Sequence, residues 1–312
     1  MRTLGEVPGV EFAAFCDLDE EMARACVEKY GGRAYRDHRE MLEEAGIDAC
    51  YVCLPPFAHT DQELLCCEKG ISLFVEKPVA LTVEKAREVA AAVRKSGVVN
   101  QVGYQRRFSG PMNRIREVLH REGGPIALFD AAWYGGVAGG PEKWWRRRER
   151  SGGQLVEQST HLVDLARWYV GDVSEVYAGF ETKVYGDLPN FNIEDASVVT
   201  MRFANGALGV ITSTCAAQQK GRGQRFAVVA KNLQVTGGRD GLRIIRGGEV
   251  EEVGPQREAR EATLEGNRHF IECVQGGRQT RVPYEEGLKA LEITLAAVRS
   301  ADTGRVVKLP LP

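Results

Sequence analysis

Ile71-Ser72-Leu73-Phe74-Val75-Glu76-Lys77-Pro78 is an apolar strand that stops abruptly on two charges and a proline. Upstream, a helical pattern over His59–Lys69 is closed by Gly70. Downstream, Thr82 stands where a helix over Val83–Lys95 needs its N-cap, Gly97 ends it, and Val98–Val102 is a further apolar strand. The unit extends backwards as well. Asp48–Leu54 is a buried strand closed by Pro55-Pro56, and Asp37 with Glu40 has capping-box spacing for a short helix to Glu44. Asp19–Tyr30 is helical and stops at Gly31-Gly32, and Val10–Cys16 is an apolar run that stops at Asp17. Strands apolar on both faces and joined by helices indicate a parallel sheet covered on both sides.

Beyond about residue 125 the pattern changes. Ile126–Tyr134, Val173–Val184, Ala196–Phe203, Leu208–Thr214, Phe226–Ala230 and Asn232–Val235 read as strands, and Asn205-Gly206 is a hairpin signal between two of them. Helices are expected at Pro111–Arg121, Leu155–Val170, Ala262–Val274 and Tyr284–Ser300. The fold class is therefore α/β, with a Rossmann-like parallel domain over 1–103 and an α+β domain over 104–312 built on an open, mostly antiparallel sheet.

Bulk properties bound the function. At roughly 150 residues per domain, 312 residues make about two domains. Lys plus Arg is 41 against 43 Asp plus Glu, a net charge of −2, which gives no electrostatic case for nucleic acid or an anionic membrane. No apolar run approaches the ~20 residues that cross a bilayer, and Met1–Glu6 has no secretory signal. Eight cysteines are far from a disulfide scaffold and point to the reduced thiols of a cytoplasmic protein.

Asp17 ends a strand where a dinucleotide-binding fold places the carboxylate that accepts the adenosine ribose hydroxyls, about 20 residues after a Gly-x-Gly-x-x-Gly turn. Asp17 reads equally as a plain helix N-terminal carboxylate. Counting back from it puts the glycine turn before residue 1, and no such turn occurs elsewhere. Met1–Glu6 then reads as the tail of the first helix, and the chain as lacking the first strand and the phosphate loop. In the strand order 3-2-1-4-5-6 that first strand is central. Without it, Val10–Cys16 and Asp48–Leu54 face each other across a gap or re-pair, so either the natural product starts upstream or this chain holds a dinucleotide poorly.

Four motifs occur in order: Leu54-Pro55-Pro56-Phe57-Ala58-His59, Val75-Glu76-Lys77-Pro78, Gly103-Tyr104-Gln105-Arg106-Arg107-Phe108, and Gly152-Gly153-Gln154-Leu155-Val156-Glu157-Gln158-Ser159-Thr160-His161. The set resembles the Gfo/Idh/MocA (glucose–fructose oxidoreductase / inositol dehydrogenase) family from residue 1 to Pro312. The resemblance implies NAD(P)-dependent hydride transfer at a carbinol of a sugar, cyclitol or related compound, with homo-dimers or homo-tetramers formed through the C-terminal sheet. It implies that Lys77 faces the substrate hydroxyl and that His161 is the general base, a role suited to a group with a pKa of about 6.5. Glu157, on the same helix face as His161, stands where the family has Asp; Gln158 and Thr160 are alternative substrate contacts. Asp17, Leu54, Pro55, His59, Glu76, Lys77, Gln105, Arg106, Trp145 and Arg146 are the implied cofactor contacts. Asp17 followed by Leu18 implies NAD rather than NADP, since a carboxylate repels a 2′-phosphate.

Other residues have plainer readings. His59 alone would be a helix-start polar residue, and His38, His120 and His269 have no constellation around them. Cys50 and Cys53 point to opposite faces of a strand, Cys66 and Cys67 diverge on a helix, and no second Cys/His pair completes a zinc site, so all four read as core packing and no metal is expected. The run Trp144–Arg150 is too short, and too close to acidic residues, for a nucleic-acid surface. The rival to an enzyme is a non-catalytic binding or oligomerisation protein with a defective dinucleotide site.

Overall fold

The computed structural model describes all residues except 138, 139, 141, 219–222 and 256–258. The first part runs β1 (Ala14–Cys16), α1 (Glu20–Tyr30), β2 (Arg33–Tyr35), α2 (His38–Glu44), β3 (Ala49–Val52), α3 (Gln62–Glu68), β4 (Ser72–Val75), α4 (Val83–Ser96) and β5 (Asn100–Val102). Local chemistry explains the helix ends. Asp19 caps α1 through the amides of Glu21 and Met22, Asp37 caps α2 through that of Arg39, and Thr82 caps α4 through that of Lys85, while Gly97 ends α4 in the left-handed region. All strand pairs here are parallel, but they form two sheets, β1–β2 and β3–β4–β5. β1 and β3 thus lie in separate sheets, the first of the two expected outcomes. Val10–Cys16 is strand only over its last three residues, β2 escaped sequence reading, and Leu4–Glu6 is a 3-10 turn rather than α-helix.

The second part continues through α5 (Gly110–Glu122), β6 (Ile126–Tyr134), α6 (Arg148–Ser151), α7 (Thr160–Val170), β7 (Val173–Glu181), β8 (Ala196–Phe203), β9 (Leu208–Thr214), β10 (Gly223–Ala230), β11 (Gln234–Gly238), β12 (Gly241–Arg246), β13 (Glu249–Gly254), α8 (Ala259–Gly276), α9 (Tyr284–Thr303) and β14 (Val307–Lys308). Nine strands form one sheet in the order β13-β12-β11-β10-β6-β9-β8-β7-β14, antiparallel throughout except for β6 beside β9. The β8–β9 hairpin turns at Asn205-Gly206 as expected, with Gly206 at φ 90° and the Asn205 side chain accepting from the Ala207 amide at 3.1 Å.

α8 packs on the first part of the chain, and α9 bridges the two, its Ser300 hydroxyl accepting from the Ala178 amide of β7 at 3.0 Å. Phe270 of α8 meets Tyr51 and Phe74 edge-on at 5.4 and 5.7 Å, and the Val102 amide at the end of β5 donates to the Val282 carbonyl at 2.9 Å. Asn100 in turn accepts from the Tyr284 amide at 2.6 Å. A single cut after residue 103 therefore separates segments that pack as one, and the main apolar core is continuous from Tyr35 to Val307.

Candidate active site

Parallel strands deliver their C-terminal ends to one crevice, where open α/β sheets bind ligands. Here β1 delivers Asp17, β3 delivers Leu54-Pro55, β4 delivers Glu76-Lys77 and β5 delivers Gly103. Gly103 lets the Glu76 carboxylate lie against the chain, because a Cβ there would stand 2.7 Å from Glu76 Oε2. Burial pushes the Glu76 carboxyl above its ordinary range, and neighbouring Lys77 opposes this only in part. The Lys77–Pro78 bond is cis.

The Lys77 ammonium meets the second part of the chain at one residue. Its Nζ donates to the Glu157 carbonyl at 2.8 Å and to Glu157 Oε1 at 3.0 Å, with the two side chains 15% and 19% exposed. An ammonium has three N–H donors, so one remains for a ligand. The helix expected over Leu155–Val170 is not uniform: Leu155–Ser159 winds as a π turn, and regular α-helix begins at Thr160. Such wide turns recur at functional sites. A long-range contact accompanies this one. Glu194, fully buried, accepts from the Leu155 amide at 2.7 Å, and Gly153 (φ 109°) makes room, since a Cβ there would lie 2.5 Å from Glu194 Oε2.

His161 follows in the first turn of α7 and is 8% exposed. Trp133 of β6 stacks beside it at 6.1 Å and 12°, and Tyr104 meets it edge-on at 6.0 Å while its hydroxyl bonds that of Thr160 at 2.8 Å. Glu157 and His161 thus sit on either side of the change in winding, the first held by Lys77 and the second by aromatic rings.

The other expected contacts divide. Asp17 is exposed, with Oδ1 accepting from the Asp19 amide at 2.9 Å; it supports the turn before α1, while Asp19 itself is the N-cap. Leu54, Pro55, Gln105 and Arg106 are half-buried. Arg106 donates to Gln224 and lies over Trp133, 5.8 Å from the ring centre. His59 corrects the sequence reading: its side chain is 1% exposed, with Nδ1 bonded to Glu63 and Nε2 3.2 Å from the Leu54 carbonyl. Its ring thus ties the Leu54 turn to Glu63 of α3. Trp145 and Arg146 are also buried, Trp145 among Phe191, Ile193 and Cys215. Trp144 lies 6.1 Å from Phe57, and Arg150 is stacked over the same ring at 5.1 Å, joining this segment to the turn after β3. Cys50, Cys66 and Cys67 are buried as expected, but Cys53 is exposed. No group of His, Cys, Asp and Glu able to hold a metal occurs among the described residues.

Glu63, Tyr104, Trp133 and Gln224 were not singled out from sequence. Glu63 had a readable signal, its four-residue spacing from His59 on a helix, and Tyr104 lies inside a quoted motif. Trp133 and Gln224 look like ordinary strand residues until β6 and β10 pair and bring them side by side.

Comparison with known proteins decides the family. Residues 2–104 match the model of the GFO_IDH_MocA oxidoreductase family, NAD-binding Rossmann fold, and residues 113–236 match the GFO/IDH/MocA C-terminal domain. The chain belongs to the Gfo/Idh/MocA family. It is 28% identical over 307 residues to the myo-inositol 2-dehydrogenase of Thermotoga maritima, covering 95% of this chain and 90% of the relative. The structure of a probable dehydrogenase from the same organism superposes with a TM-score of 0.84 at 26% identity, over 99% of this chain and 94% of that one. A levoglucosan dehydrogenase solved with NADH and levoglucosan shares the fold at a TM-score of 0.87 and 21% identity, over 96% and 90% of the two chains. As a Gfo/Idh/MocA protein the chain is an NAD-binding oxidoreductase.

The described residues fit NAD at its two ends. Asp17 keeps one carboxylate oxygen with no protein partner among the described residues, suited to ribose hydroxyls, and Lys77, with one N–H to spare at the end of β4, has the chemistry to suit the nicotinamide end. Between these ends a pyrophosphate needs backbone N–H groups at a glycine turn. Among the described residues no strand fills the slot between β1 and β3.

Proposed function

We propose that this protein oxidises or reduces a carbinol carbon of a sugar, cyclitol or close relative with NAD(H). The observation that carries the reading is the Lys77–Glu157 pair, which joins the end of a parallel strand to the π turn ahead of His161. When bound, the nicotinamide exchanges a hydride with the carbinol carbon. Lys77 directs its remaining N–H at the substrate oxygen and stabilises the negative charge that develops there. Glu157 fixes the ammonium through both its carbonyl and its carboxylate. His161 takes the hydroxyl proton during oxidation and returns it during reduction. The myo-inositol activity named for the Thermotoga relative supports a polyhydroxylated substrate.

The open face of the nine-stranded sheet supports self-association. Register places Tyr177, Val198, Leu208 and Leu128 on one side of β7, β8, β9 and β6, and all four are exposed. We infer that a second copy covers this face, giving a homo-dimer or homo-tetramer. No helix among the described residues is long and apolar enough to cross a membrane, and the eight cysteines are free thiols, which supports the cytoplasm as the protein's compartment.

The test is an NADH fluorescence titration followed by a screen of sugars and polyols with NAD. Saturable binding and turnover are expected, with Lys77→Met and His161→Asn each lowering kcat about 10²- to 10⁴-fold while His161→Asn still binds NADH. A folded protein that fails to bind NADH, or variants that turn over like wild type, would overturn the reading.

A further inference from the structure

A second cleft lies behind α7, separate from the crevice just described. It encloses about 460 Å³ and is lined by Arg107, Asn113, Arg116, Arg167, Trp168, Arg281 and Glu286, none of which belongs to the Lys77–Glu157–His161 group. Trp168 stands seven residues beyond His161, about 10 Å further along the helix. The cleft is half open to solvent, and its volume falls within the roughly 300–1,000 Å³ of small-ligand sites.

The four arginines are not equivalent. Arg107 is buried and donates to Asp164 Oδ1 at 2.6 Å and to Glu286 Oε2 at 2.9 Å. Arg167 donates to the same Glu286 oxygen at 3.1 Å and to Asp172 at 2.9 Å. These two cations are therefore matched, and they neutralise the one carboxylate that lines the cleft. Arg116 uses only its Nε, on the Trp168 carbonyl at 3.3 Å, and stacks over the Trp168 ring at 5.5 Å. Arg281 lies 5.9 Å from the centre of the Phe108 ring. Neither has a carboxylate partner among the described residues, and both are exposed. Asn113 spends its amide N–H groups on the carbonyls of Arg107 and Ser109 at 3.0 and 2.8 Å, which leaves its oxygen as an acceptor.

We propose that this cleft binds a small phosphate-bearing molecule. Two unmatched guanidinium groups flank it, and guanidinium forks suit phosphate oxygens. Asn113 Oδ1 offers an acceptor to a ligand hydroxyl, and the Trp168 ring, stacked on Tyr169, holds the Arg116 guanidinium in place beside the cleft. The half-open cleft has room for more than a lone inorganic ion, which favours a phosphate ester over free phosphate.

The experiment is isothermal titration of the full chain with glucose 6-phosphate and, separately, with inorganic phosphate and pyrophosphate, at ionic strength held constant with sodium chloride. Saturable binding is expected, tightest for glucose 6-phosphate, with Arg116→Gln and Arg281→Gln each weakening it about 10- to 100-fold and the double variant abolishing it. Arg299→Gln, which removes an exposed arginine on α9, and Lys77→Met should both bind as wild type does. Arg116 and Arg281 are exposed, so their variants should melt at the wild-type temperature without ligand. The proposal fails if wild type shows no saturable binding or if the double variant binds unchanged. It fails equally if Lys77→Met abolishes binding, because the phosphate would then occupy the catalytic crevice.

Discussion

The two halves of the molecule solve sheet formation differently. The five parallel strands are three or four residues long and are divided between two sheets. The nine later strands form a single ladder in which β6 and β7 each run nine residues. Parallel neighbours need crossover connections, whereas antiparallel ones are joined by tight turns, so the second sheet is assembled largely from local contacts and the first depends on what packs around it. α8 and α9 return from the far end of the chain to supply that packing. The groups proposed for catalysis are divided in the same way: Lys77 rides on the parallel half, and Glu157 and His161 ride on the segment that packs against the antiparallel sheet. The Lys77–Glu157 contact on which the proposed site rests exists only while the joint between the halves is intact.

The strongest way to break that joint is through Arg107, which stands on the connection between the halves. Burial works against its charge, but Asp164 and Glu286 more than compensate and hold the guanidinium firmly protonated. Asp164→Ala leaves that buried cation without its principal partner and should cost about 3–5 kcal/mol in urea unfolding followed by circular dichroism. A loss below about 1 kcal/mol would show that helix packing alone secures the joint.

A smaller effect should come from Glu194, which supports the π turn from the antiparallel side. Burial raises its carboxyl from 4.5 to about 6. Because the folded-state value is the higher one, its favourable contribution is complete below pH 4.5 and is lost as pH rises through about 6. At pH 7 the ionised form is therefore penalised by about 2 kcal/mol. Glu194→Gln keeps an acceptor for the Leu155 amide and removes the titration. The variant should gain stability relative to wild type between pH 4.5 and pH 7, measured as the difference in unfolding free energy at the two ends of that range. A flat difference would mean that Glu194 is not the group that titrates.

The least change in fold stability is expected at the open sheet face. Val198→Lys puts a charge among Tyr177, Leu208 and Leu128 and should reduce the mass measured by light scattering to that of a monomer, while subunit stability shifts by no more than about 0.5 kcal/mol. An oligomer of unchanged mass would place the interface elsewhere.

Legibility also differed between the halves. Ile126–Tyr134, Ala196–Phe203 and Leu208–Thr214 were readable to the residue, two of them because alternation with one wet face marks both ends of an antiparallel strand. β12 and β13 were overlooked because Arg243, Arg246, Glu251 and Glu252 make them look like solvated loop, although these charges pair across the two strands and at their ends. In the parallel half, the apolar runs were recognised but over-extended: Val10–Phe12 is apolar at its ends yet unpaired. At the site, Lys77, Glu157 and His161 were legible through the motifs that carry the family resemblance. The burial of His59 was half-visible in its spacing from Glu63, and nothing marked Trp133.

The sequence by itself determined the order of elements, the helix caps and the class of each half, since all of these rest on interactions within a few residues. Tertiary structure alone decided that Lys77 meets Glu157 eighty positions away, that a π turn replaces α-helix where Glu194 takes the Leu155 amide, and that Arg116 and Arg281 line one cleft without carboxylate partners among the described residues. These features depend on which distant groups share a small volume, and local pattern carries no record of that.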